Sequence, residues 1–242
     1  LCISIISTPL LARRNTTQRH PLFPPAIFSQ RSFTIGAAGS ALCQVGFFSI
    51  YFGLPLYMRE VWSWSPLKIG FAQIPLNLVP LLTAAVAGKI VDRQGPRPMV
   101  IFGGVWSGVS FLIIGFFLME AGYILFALGL LVSGLGAMAI GNNTTIATLL
   151  DIEDGLLASA SSASYTARRL GSALGAVLTA SIVGNRLGSD FKDVYIWVWI
   201  LGAGAYLLGS LITYLYYPLF IKLIKAFICF FKKIIDVCIS KN

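Results

Sequence analysis

The sequence predicts an all-α, polytopic membrane protein in which six transmembrane helices form one bundle. Three observations predict it. Of 242 residues, 57% are hydrophobic and only 11% charged, with a mean hydropathy of +0.81, whereas soluble domains carry roughly a quarter charged residues. Six apolar stretches approach the roughly 20 residues needed to cross the hydrocarbon core of a bilayer. The charges and the Gly and Pro punctuation gather in the short joints between those stretches.

Taken in order, the predicted spans cover residues 33–57, 69–90, 99–118, 123–146, 158–183 and 194–217. The first joint holds Arg59, Glu60, Trp62, Trp64 and Pro66, and the second runs through Asp92, Arg93, Gly95 and Pro96. Glu120 and Gly122 form the third, residues 151–155 the fourth and residues 184–193 the fifth. Such short joints make successive spans antiparallel. Residues 1–32 read as the tail of a preceding helix and a cytoplasmic linker, which makes the chain a fragment. Residues 33–217 are the six-helix bundle, and residues 218–242 a basic, amphipathic tail suited to lying on the membrane surface or left unconstrained.

The formal net charge of +9 excludes little by itself, but its distribution does. Lys and Arg prefer the cytoplasmic side of a membrane. With the start of the first span inside, that side receives Arg13, Arg14, Arg19, Arg31, Lys89, Arg93, Arg97, Lys222, Lys225, Lys232, Lys233 and Lys241. The other side receives Arg59, Lys68, Arg186 and Lys192, so both termini are predicted to be cytoplasmic. Basic residues in joints suit anionic lipid, and nucleic acid is not an expected partner. Cys2, Cys43, Cys229 and Cys238 show neither a CxxC pair nor a spacing to histidine, so neither a metal site nor a disulfide framework is expected. His20, the single histidine, reads as a loop residue. Trp62, Trp64, Trp197, Trp199, Tyr214, Tyr216 and Tyr217 fall at span ends, as an interfacial aromatic belt requires.

The most specific local signal is Gly88-Lys-Ile-Val-Asp92-Arg93-Gln-Gly95-Pro-Arg97, between the second and third spans. Gly95 permits an unusual backbone angle, Pro96 enforces the turn, and Gly88 allows close helix approach. Asp92 is placed to pair with Arg93 or Arg97, or to accept hydrogen bonds at a helix N-terminus. This pattern resembles the signature loop of the major facilitator superfamily, a cytoplasmic gating element. The fifth span, with Arg168, Gly171 and Gly175, is similar to the corresponding helix of fourteen-helix drug:proton antiporters. Leu54-Pro55-Leu56-Tyr57 and Ser65-Pro66-Leu67 with Gly70 match the same half of that family in order. The resemblance implies the C-terminal half of a secondary transporter, without cofactor and not an enzyme. It further implies proton-coupled export of hydrophobic or cationic drugs, multidrug efflux across the bacterial inner membrane. A matching N-terminal half of six or eight helices would then be its partner. The alternative is a truncated, non-transporting fragment or scaffold.

Ionisable residues at membrane depth are functional candidates because burying charge in lipid is costly. Arg168 is one, read either as lining a cleft or gate or as reaching the headgroups from an extended helix. Asp, Glu and His are absent from the interiors of the six spans, so a proton-coupling carboxylate belongs in the other half. Gln44, Phe48 and Tyr51 share one face of the first span, and Asn77 lies between Pro75 and Pro80 where a kink is expected. These four are substrate-lining candidates, with ordinary interhelical hydrogen bonding as the alternative for the amides. Gly171 and Gly175 stand in GxxxG register, suited to helix sliding or to static packing.

Overall fold

A computed structural model describes residues 24–119, 121–141, 143–185 and 191–216. His20, Asn142, Arg186, Cys2, Cys229, Cys238, Tyr217 and the terminal segments lie outside the described residues. Among the described residues every regular element is helical. A short α1 (Pro25–Ser29) precedes α2 (Arg31–Glu60), which is the first span. The second span is α3 (Pro66–Ala72) followed directly by α4 (Ile74–Gln94). The third is α5 (Pro96–Ile113), closed by a π-helical turn at Ile114–Leu118. The fourth divides into α6 (Tyr123–Ile140) and α7 (Asn143–Leu149). A 3₁₀ turn at Asp154–Leu156 leads into α8 (Leu157–Gly184), and α9 (Phe191–Tyr216) is last.

Over its described residues each predicted span is helical, apart from breaks at Gln73 and Gly141. Among the described residues four helical runs are long and apolar enough to cross a membrane: Arg31–Glu60, Pro66–Arg93, Pro96–Leu118 and Asp193–Leu215. The fourth span divides where its helix ends at Ile140, before Gly141 (φ 2°, ψ −116°). The fifth is 28 residues long, but Ser, Thr and two arginines lower its hydropathy.

In lipid, burying apolar surface gives helices little reason to associate, so close packing of small residues and interhelical hydrogen bonds must do it. The bundle follows that rule. Helix α2 is the hub, packed against α8 and α9; α9 then packs on α5, α5 on α6, and α6 on α4. Along α2, Gly39, Gly46 and Gly53 recur every seven residues and face α9. A Cβ at Gly46 would come within 2.7 Å of the Gly202 carbonyl oxygen, and one at Gly53 within 2.6 Å of Val198. The contacts run in opposite chain order, so α2 and α9 are antiparallel. On the other side of α2, Gly171 and Gly175 of α8 lie against the Ala41 and Val45 backbones, in the same chain order. These two helices are parallel, as first and fifth spans must be when all joints are short. Ser49 donates to the Gly175 carbonyl at 3.3 Å, and Thr179 donates to the Ser49 carbonyl at 3.2 Å, closing the seam above the glycines. The Trp106 indole donates to the Val132 carbonyl at 2.8 Å and ties α5 to α6.

The aromatic belt needs correction. Trp199 is buried, its ring 5.9 Å from Phe111 and 6.2 Å from Phe126. Trp62 and Trp64 lie with ring centroids 4.8 Å apart and planes tilted by 46°, and they close over Tyr57, Tyr123 and Phe126. This end of the bundle is sealed by an aromatic plug, where offset and edge-on ring packing is favourable. The plug is pinned by two phenols: Tyr57 donates to the Met119 carbonyl at 2.9 Å, and Tyr195 donates to Glu60 at 2.7 Å. Trp197, by contrast, is exposed, as an interfacial residue should be.

Candidate functional site

Two helices leave one face without neighbours. The second span is only 17% buried over its apolar window, and Leu78, Leu81 and Leu82 are all exposed. Helix α8 exposes Tyr165, Leu170, Leu174 and Val177. A groove runs between these helices and the α2 hub. Its upper part, about 410 Å³, is lined by Tyr51, Gly70, Gln73, Ile74, Asn77, Leu78 and Leu81. Its deeper part, about 270 Å³, is bounded by Gln44, Phe47, Asn77, Arg168 and Tyr206 together with apolar residues of α4 and α6. Asn77 belongs to both walls.

The local sequence explains this shape. The second span breaks at Gln73 (φ −87°, ψ −9°), two residues before Pro75. Proline removes a helical donor and crowds the preceding turn, so the break falls before it. Pro80 sits inside α4 without ending it. The Asn77 amide donates to the Gln73 carbonyl at 3.2 Å, which supplies a partner to backbone at the break. On the facing wall, Phe47 and Tyr51 stack with centroids 5.6 Å apart and planes 20° apart.

Of the sequence candidates, Gln44, Tyr51 and Asn77 therefore line the groove. Phe48 does not: it is half-buried behind the wall, its ring 5.6 Å from Phe47 and 6.2 Å from Tyr51. Phe47 takes its place. Spacings of three and four from Gln44 both suit one helix face, so the pattern alone does not choose between the two phenylalanines. Gln73 also lines the wall, and its place two residues before Pro75 was the available signal.

Arg168 lies eleven residues into α8, about 16 Å along its axis. It is half-buried and turns into the deeper cavity, while Arg169 is exposed. The two arginines thus point differently. Arg168 donates through Nη1 to the Thr145 hydroxyl at 2.6 Å, bridging α8 to α7 just beyond the Gly141 break.

The loop from Gly88 to Arg97 forms the turn expected of it, with differences in detail. Gly95 adopts φ +83°, a region that glycine enters without strain, and its N–H donates to the Val91 carbonyl at 2.7 Å. Pro96 then opens α5 at its first position. The expected pairing within the loop is not formed. Arg97 instead makes an ion pair with Asp151, in the joint after α7. The turn at Gly95 sends α5 away from the end of α4, so Arg97 meets the neighbouring joint while Asp92 and Arg93 remain on the exposed side. Asp92 sits in the last turn of α4, not at a helix N-terminus. Gly88 also departs from expectation, since a Cβ there would meet nothing within 4 Å. It offers open space within this chain rather than a close helix contact. Asp151 was missed by sequence reasoning. Its signal is parity: the second and fourth joints must lie at the same end of an up-and-down bundle.

Comparison with known proteins accords with this architecture. The chain is 22% identical over 193 residues to the tetracenomycin C resistance and export protein of Streptomyces glaucescens, covering 80% of this chain and 36% of that protein. It is 27% identical over 190 residues to the riboflavin transporter RibZ of Clostridioides difficile, covering 76% and 40%. With the multidrug export protein EmrB of Escherichia coli (strain K12) it shares 24% identity over 186 residues, covering 76% and 36%. The chain thus spans well under half the length of these relatives. The Major Facilitator Superfamily model matches residues 36–222. With six helical spans in the expected order, the signature loop turned at Gly95 and this match over most of its length, the chain belongs to the Major Facilitator Superfamily, a family of membrane transporters and not of enzymes.

Proposed function

We propose that this chain is the C-terminal wall of a proton-coupled exporter of hydrophobic amphiphiles, completed by an N-terminal half of six or eight helices. The observation that carries the reading is the groove along Gln44, Phe47, Tyr51, Gln73 and Asn77, flanked by the weakly buried second span and by the exposed face of α8. Transporters of this family move substrate between two helical bundles that rock around a midplane site. A helical bundle with a groove lined by aromatic, amide and apolar side chains suits one such wall. Relatives named for export of tetracenomycin C and of multiple drugs support an outward direction.

In this reading the Gly88–Arg97 loop is cytoplasmic, because Lys89, Arg93 and Arg97 gather there. The described ends nearest both termini lie on that side, and the membrane is the cell membrane. Gly88, Asp92 and Arg93 then present a gating surface to the partner half, where Gly88 lets the partner helix approach. The acidic residues among the described residues stand at helix ends and joints: Glu60, Asp92, Asp151, Glu153, Asp154 and Asp193. The carboxylate that couples proton movement therefore belongs to the partner half.

Filling the groove tests the reading. In membrane vesicles energised with a proton gradient and containing both halves, Asn77→Trp is expected to lower export of a hydrophobic dye about tenfold. Leu178→Trp, in an apolar pocket between α8 and α9, is the comparison and should leave export near the parent level. Equal effects at the two positions, with equal protein in the membrane, would remove the groove from the transport path.

A further inference from the structure

We propose that the deeper cavity selects amphiphiles carrying an acidic group, a carboxylate or an ionised phenol, and that Arg168 is the residue that reads that group. The inference rests on the transporter reading and names its substrate class. It is opposite in charge to the cationic members of the hydrophobic or cationic drugs that family resemblance implies.

The lining of the cavity carries the argument. Arg168 is the charged residue facing it, and no Asp or Glu lines either part of the groove among the described residues. The remaining polar surface comes from Gln44, Asn77 and Tyr206. A fixed cation entering here would meet a guanidinium in a poorly screened site without a carboxylate to offset it. An anion meets the reverse. A guanidinium has five N–H donors in a planar fork that matches a carboxylate with two parallel hydrogen bonds. The bond to Thr145 uses one donor and fixes the side chain from the α7 side, leaving its reach toward the cavity.

The apolar body of such a ligand also has a place. The stacked rings of Phe47 and Tyr51 form a flat wall along the groove above Gln44, and Asn77 joins the two parts. With about 270 Å³ below and about 410 Å³ above, the groove accommodates a multi-ring compound with its acid toward Arg168.

A matched pair of probes tests this directly. Pyrenebutyrate and pyrenebutylammonium share one aromatic body and differ in the sign of the terminal charge. Binding to the full chain in phosphatidylcholine nanodiscs is read by pyrene anisotropy, with empty discs subtracted. Pyrenebutyrate is expected to bind about tenfold more tightly than pyrenebutylammonium. Arg168→Gln should erase the preference, while Arg169→Gln, at the exposed neighbouring position, should keep it. Because Arg168→Gln also breaks the bridge to Thr145, Asn77→Asp provides a second reading: an acid placed in the same cavity should move the preference toward the ammonium probe. Equal binding of both probes, or a preference that survives Arg168→Gln, overturns the assignment while leaving the transporter reading in place. Failure of both probes to bind overturns both the assignment and the groove as a ligand site. Repeating the titration with phosphatidylglycerol in the discs separates a soluble acid from a resident lipid headgroup. Unchanged affinity supports the proposal, and loss of pyrenebutyrate binding assigns the cavity to lipid phosphate and overturns it.

Discussion

Arg97 and Asp151 show how a charge can be legible in a sequence while its partner is not. The loop spacing identified Arg97 as part of a turn, but its nearest acid in sequence, Asp92, is not its nearest in space. The ion pair joins two cytoplasmic joints of the proposed topology, yet its side chains are 21% and 49% exposed. Such a pair contributes little to stability, so a double-mutant cycle of Arg97→Ala and Asp151→Ala should give a coupling of about 0.2–1 kcal/mol in thermal unfolding of detergent-solubilised protein. A coupling several times larger would mean that the pair is desolvated and structural. Gly175 is the contrasting case, because its close helix contact was readable from GxxxG spacing alone. A Cβ at Gly175 would press on the Val45 carbonyl, and Ser49 already donates to the Gly175 carbonyl. Gly175→Leu should destabilise the bundle by about 1–3 kcal/mol, as overpacking does. A melting temperature unchanged from the parent would contradict the seam between α2 and α8.

At the scale of helices, the positions of the spans were set by hydropathy, and the structure moves their ends by only a few residues. What hydropathy does not carry is where a span bends. The break at Gln73 follows from Pro75, which the sequence displays. Pro80, equally visible, lies inside a continuous α4, because a membrane helix can re-form its bonds around proline when neighbouring groups replace the lost donor. Gly141 breaks the fourth span between α6 and α7, although glycine occurs at Gly129, Gly134 and Gly136 of the same span without breaking it. Those three are consumed by packing instead: Gly136 against Ser107 and Gly103, Gly129 against Ile114 and Leu118, Gly134 against Leu76 and Val79. Whether a glycine bends or packs depends on its neighbours in space, which no single sequence states. The aromatic residues make the same point. Trp197 and Trp199 are two positions apart near one helix end, so a helical turn places them on different faces, one outward and one in the plug.

For the molecule as a whole, the up-and-down order was legible because short joints leave no other path, and the glycine contacts bear it out through the parallel pairing of α2 with α8 and the antiparallel pairing of α2 with α9. The groove was less legible. Gln44 and Asn77 drew notice as polar residues in apolar spans, but that they share a cavity with Arg168 follows from the packing of the fifth span on α2 and of the second span on α6. The weak burial of α4 and the exposed face of α8 give the bundle an open side, and the account assigns that side to a partner half. Export across proteoliposomes tests the assignment most directly. Purified chain, alone or co-reconstituted with a matching N-terminal half, is given an imposed proton gradient and a fluorescent hydrophobic substrate. The account predicts gradient-dependent export only when both halves are present, with the chain alone at the level of empty liposomes. Export at the full rate by the chain alone, shown to be monomeric in the same liposomes, would contradict it.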